Sequence, residues 1–118
     1  MDKLEEIFAL QKKYQDDLAE RRGLHGIPME QWLQKQTLAM LSELAELLDE
    51  VNFKWWKNPK PVDEDRVKEE LVDILHFFVS MCLSAGMTPE DLHDRYTSKN
   101  VENFARQRGQ SEKAGYES

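Results

Sequence analysis

The sequence predicts an all-α fold, a four-helix bundle whose core is completed by oligomerisation. Three observations predict it. Apolar residues recur at three- and four-residue steps over four long stretches. Nearly all of the five Gly and four Pro fall where a helix would have to stop. No stretch alternates apolar and polar with the period of two that marks a half-buried strand.

The first helix is expected over residues 2 to 22, with Leu4, Ile7, Phe8, Leu10, Tyr14 and Leu18 along one stripe. Gly23 to Pro28 break it, and Pro28 suits the first turn of the next helix, where a backbone donor is not needed. The second helix is expected from about 29 to 56. Trp32, Leu33, Met40, Leu41, Leu44, Leu47, Leu48 and Val51 give it more apolar surface than one neighbour can cover. Glu43, Glu46 and Glu50, at i, i+3 and i+7, form an acidic ridge on it. Asn58-Pro59-Lys60-Pro61 then ends any helix.

A third helix is expected from Asp63, its cap, to Ala85. Between Leu71 and Leu83 only Asp73, His76 and Ser80 interrupt an apolar run, which predicts burial on several sides. Gly86 stops it. Thr88-Pro89-Glu90-Asp91 starts a fourth helix, with Thr88 as cap and Pro89 first, reaching about Arg108. Residues 1–108 thus form one domain, and the polar residues 109–118 are expected to be a flexible tail.

Charged residues make up 33% of the chain and the net charge is −7. That balance argues against a general nucleic-acid or acidic-membrane surface, which needs clustered Lys and Arg. No run approaches the roughly 18 apolar residues of a membrane span, and Met1 to Glu6 lack a signal-peptide segment. A cytoplasmic location is the expectation. Cys82, the one cysteine, lies in an apolar run and reads as a buried structural thiol.

The chemistry concentrates in two acid pairs, Glu43-Leu44-Ala45-Glu46 and Glu70-Leu71-Val72-Asp73. Members of each pair are three residues apart, so on a helix they point the same way. Such pairs are common on solvated helices, where glutamate is simply a good helix former. These two, however, sit among Leu, Val, Ile and Phe, and removing water from a charge is costly. Two facing pairs would repel unless a cation lay between them. Magnesium takes a few carboxylate oxygens, keeps some waters and bridges to phosphates. Glu43, Glu46, Glu70 and Asp73 are therefore the expected ligands for Mg2+, with Mn2+ as a possible substitute.

This arrangement resembles the signature of the all-α nucleoside triphosphate pyrophosphohydrolases, which include the MazG-type enzymes and the dimeric dUTPases. Phe53-Lys54-Trp55-Trp56-Lys57-Asn58 and Glu70-Leu71-Val72-Asp73-Ile74-Leu75-His76-Phe77 resemble the dUTPase branch, as does Tyr96-x-x-Lys99-Asn100-x-x-Asn103-x-x-Arg106-Gln107. The similarity runs from about residue 4 to 107. It implies that Glu43 and Glu46 are catalytic as well as metal ligands, Glu43 by preference activating the attacking water. It implies that Gln11, Trp56, His76 and Phe77 meet the nucleoside, and that Lys99, Asn100 and Arg106 meet the phosphates. His76 and Phe77 also fit a hydrogen-bonded core histidine and plain core packing.

The implied reaction is dUTP to dUMP and pyrophosphate, limiting uracil in DNA, in a homodimer or a dimer of dimers. One alternative is a MazG-type enzyme acting on another or a damaged nucleoside triphosphate. An alternative of a different class is a non-catalytic helical interaction module whose acidic ridge is only a charged surface.

Overall fold

A computed structural model of the chain describes residues 1–110, so the greater part of the expected tail lies outside the described residues. It contains α1 (Lys3–Arg22), α2 (Met29–Glu50), α3 (Glu64–Ser84) and α4 (Pro89–Gln107), and no strand among the described residues. The all-α expectation holds. The chain divides into two compact units, Met1–Gly86 and a second beginning at Met87.

Within the first unit, α3 packs against both α2 and α1. Side-chain pairs give the directions. Gln36 meets Ser80 and Glu50 meets Arg66, so α2 and α3 run antiparallel. Gln11 meets His76 and Gln15 meets Ser80, so α1 and α3 run the same way.

Local chemistry sets the ends. Asp2 accepts from the Glu5 N–H at 2.8 Å to start α1, and Asp63 accepts from Asp65 and Arg66 to start α3. Such caps are each worth about 1 kcal/mol. Gly23 ends α1 at φ 63°, a left-handed position that favours glycine.

Three expectations need correction. First, α2 ends at Glu50 rather than near residue 56. Asn52 takes φ 59°, and its side chain holds the Lys60 backbone by two bonds, each of 2.8 Å. That clamp is incompatible with continued helix, so Trp55 and Trp56 belong to the connecting loop. Second, Pro28 is the cap position before α2 rather than inside its first turn. Third, α3 is not buried on several sides within this chain. Only Val79, Ser80 and Cys82 are buried on it, while Leu71, Val72, Leu75 and Phe78 are exposed.

The interior has an unusual make-up. Among the described residues the buried apolar side chains are Phe8, Val79 and Cys82, and the buried polar ones are Gln11, Gln36 and Ser80. Burial of a polar group without a partner is costly, so these three must be hydrogen-bonded or serve a ligand.

The second unit opens with a capping box. Thr88 accepts from the Asp91 N–H at 3.0 Å, the Asp91 carboxylate accepts from the Thr88 N–H at 3.2 Å, and Pro89 follows the cap. Near its end the Arg108 guanidinium lies 5.0 Å from the Phe104 ring centre.

Candidate functional site

The acid pairs meet because α2 and α3 run antiparallel with Glu43 opposite Glu70. Glu43, Glu46 and Glu70 each place a carboxylate oxygen within 4.8 Å of the others. Glu43 and Glu70 each bury one oxygen, Oε2, that has no hydrogen-bond partner. No ion pair among the described residues involves any of the four acids. Asp73 stands outside the three-acid group and instead lines a cavity that Glu43 also borders.

Electrostatics follow from this crowding. Burial pushes the Glu43 carboxyl up to about 7, and the neighbouring Glu70 and Glu46 carboxyls push the same way. Glu70 is raised too, first by burial; a hydrogen bond with Glu43 opposes this, and the charges of Glu46 and Asp73 add to it. Like-charged acids with desolvated, unpartnered oxygens make a donor set that fits a hard divalent cation.

The cavity beside the acids has a volume of about 490 Å3. Of the residues expected to read a base, Gln11, His76 and Phe77 all line it. Gln11 Oε1 lies 2.7 Å from His76 Nδ1, so the two form one polar rung between α1 and α3. A second rung lies one turn further along both helices. Gln36 Nε2 donates to Ser80 Oγ at 2.6 Å, and Ser80 Oγ donates to Gln15 Oε1 at 2.9 Å. Tyr14, Leu18 and Trp32 supply much of the remaining wall.

Trp56 does not line this cavity. It sits in the α2–α3 loop with its ring edge-on to Trp55 at 5.5 Å and to Phe53 at 6.4 Å. Lys99, Asn100 and Arg106 belong to α4 in the second unit, where Lys99 and Arg106, seven apart, share a face.

Sequence reasoning missed Gln15, Gln36 and Trp32 as cavity residues. Glutamine is a good helix former and leaves no mark on a helical pattern. Ser80 did leave one, as a hydroxyl interrupting an apolar run.

The sequence pattern of the dUTPase family matches residues 3–87. A dCTP pyrophosphatase of Enterobacteria phage LZ5 is 34% identical over 74 residues, which are 63% of this chain and 43% of that protein. The dCTP pyrophosphatase of Enterobacteria phage T4 is 45% identical over 47 residues, 40% of this chain and 28% of that protein. The uncharacterized protein YpjD of Bacillus subtilis (strain 168) is 37% identical over 68 residues, 52% of this chain and 61% of that protein. The matches to the two phage relatives span less than half of their length. No solved structure matches. The family match takes in most of the chain and nearly all of the unit that carries the acids and the cavity. The chain therefore belongs to the dUTPase family of all-α nucleotide pyrophosphohydrolases.

Proposed function

We propose that the chain is a magnesium-dependent pyrophosphohydrolase that converts dUTP and water to dUMP and pyrophosphate, limiting uracil in DNA. The observation that carries this reading is the trio of carboxylates within 4.8 Å, two of them with buried, unpartnered oxygens, beside a largely apolar cavity that also presents Gln11, Gln15, Gln36, His76 and Ser80. Glu43, Glu46 and Glu70 would hold the ion, with Asp73 at the cavity wall. When bound, it neutralises phosphate charge and lowers the pKa of a coordinated water.

The chain's own residues do the rest. Glu43 stands among the acids and also borders the cavity, so it is the group to take the proton of the attacking water. As that proton leaves, the water oxygen bonds to phosphorus and the anhydride bond to the leaving group breaks. Gln11 and His76 hold the base by its polar edge. Phe77 and Trp32 give the cavity apolar walls against which a base can pack.

The exposed Leu71, Val72, Leu75 and Phe78 support a further part of the proposal, that a second copy covers this face in a homodimer or a dimer of dimers.

A second reading is that the base is cytosine, favoured by the phage relatives' name, dCTP pyrophosphatase. A panel of deoxynucleoside triphosphates assayed with magnesium separates the two. Preference for dUTP, lost on chelation, is the expected result. Equal rates on all four bases would contradict the dUTP assignment. No turnover of any nucleotide would favour a non-catalytic helical module.

A further inference from the structure

We propose that a directional chain of hydrogen bonds from Ser84 through Gln36 and Ser80 to Gln15 sets which group the cavity offers to the 4-position of a pyrimidine, and so selects a 4-keto base over a 4-amino base. The inference rests on the nucleotide reading above and names the base within it.

Each link has a direction. Ser84 Oγ donates to Gln36 Oε1 at 3.3 Å, Gln36 Nε2 donates to Ser80 Oγ at 2.6 Å, and Ser80 Oγ donates to Gln15 Oε1 at 2.9 Å. A serine hydroxyl has one proton, so once Ser80 gives its proton to Gln15 it can only accept from Gln36. With its oxygen engaged, Gln15 offers the cavity its amide N–H. On the neighbouring rung Gln11 Oε1 faces His76 Nδ1, and an amide oxygen can only accept. Facing that oxygen, Nδ1 is the donor of the His76 ring, and in the tautomer this contact selects Nε2 is the acceptor.

The order of these groups along the cavity assigns them to the base. Glu43 and Gln36 are seven residues apart on α2, as are Asp73 and Ser80 on α3, a distance of about 10.5 Å along each helix axis. Because the two helices run antiparallel, the acids mark one end of the cavity and Gln36 with Ser80 mark the other. His76 and Gln11 lie between. A nucleotide with its phosphates at the acids extends its base away from them. In a pyrimidine the 4-substituent lies opposite the glycosidic nitrogen, so it reaches furthest and meets Gln15, while N3 meets His76.

Uracil matches both groups. Its O4 accepts from the Gln15 amide and its N3–H donates to His76 Nε2. Cytosine mismatches both: its amino group faces a donor, and its bare N3 faces a lone pair. Thymine shares the uracil edge, so the chain of hydrogen bonds separates uracil from cytosine and leaves the 5-methyl group to other contacts. Ser80 and Gln36 are positioning residues here, acting through Gln15.

The test is kcat/KM for dUTP, dTTP and dCTP with magnesium, measured on wild type, Ser80→Ala, Ser80→Thr and Gln15→Glu. The wild type should favour dUTP over dCTP by about a hundredfold or more, since a site built on hydrogen bonds rejects a mismatched analogue strongly. Ser80→Ala frees both amides to turn and should cut that ratio at least about tenfold, while Ser80→Thr, which keeps the hydroxyl, should retain it. Gln15→Glu replaces the donor with an acceptor and should move the ratio towards dCTP. The dUTP to dTTP ratio should not change in any variant.

A purely structural Ser80 would lower all three substrates together. An unchanged dUTP to dCTP ratio in both Ser80→Ala and Gln15→Glu overturns the proposal; should Ser80→Ala fail to fold, the ratio in Gln15→Glu alone decides. A wild type that prefers dCTP, as both amides turned over would produce, also overturns it while leaving the pyrophosphohydrolase reading intact. A wild type inactive on every nucleotide overturns both.

Discussion

Burial raises the Glu43 carboxyl to about 7 from an ordinary value of 4.5, and the Glu70 and Glu46 carboxyls add to the shift. A carboxyl that binds its proton more tightly in the folded chain favours folding when protonated. Its contribution is full below about 4.5 and is lost as pH rises through about 7. The metal-free protein should therefore melt at a lower temperature on the alkaline side of that range than on the acid side. Glu43→Gln should flatten the slope, and magnesium should raise the melting temperature most on the alkaline side. A slope of the same size in Glu43→Gln would show that the strain lies elsewhere. In turnover, Glu43→Gln should lose about 10²- to 10⁴-fold, the usual worth of a general base, with the helical circular dichroism intact. A loss of only a few-fold would argue against a catalytic role. His76→Ala should chiefly weaken discrimination between bases, which the same substrate panel reads; equal losses on all bases would argue against a role for His76 in reading the base. The acids are legible in the sequence because charge inside an apolar run is anomalous. Gln15 and Gln36 are not, because their significance lies in a partner on another helix.

Helix ends show the same division. Asp63, Gly86 and Thr88-Pro89 mark boundaries by chemistry that acts within a few residues, and α3 and α4 start and stop where those residues indicate. The end of α2 depends on a longer reach. Asn52 grips the backbone of Lys60 eight residues later, and periodicity carries no trace of that contact. Asn52→Ala would lose two hydrogen bonds and place alanine at a left-handed backbone position. Together these should cost about 2 kcal/mol, read as a lower urea midpoint. Asn52→Gly keeps the backbone freedom and should cost less. Equal stability of wild type and Asn52→Ala would mean the loop is held by other contacts.

For the molecule as a whole, hydrophobic periodicity shows which faces must leave water but not what covers them. Leu71, Leu75 and Phe78 fall on one stripe of α3, and Leu41, Leu44 and Leu48 on one stripe of α2, and all six are exposed in the single chain. A second copy that covers them should appear as a dimer or tetramer in light scattering, and Leu75→Glu should shift the population towards smaller species. A wild type that stays monomeric at high concentration would contradict that part of the account. Beneath these questions lies the claim that three acids from two helices converge on a cation site. Electron paramagnetic resonance of manganese titrated into the protein tests it most directly. Wild type should bind the ion, and Glu43→Gln and Glu70→Gln should each weaken binding at least about tenfold, since each removes a ligand charge. Equal manganese affinity in all three proteins would contradict it.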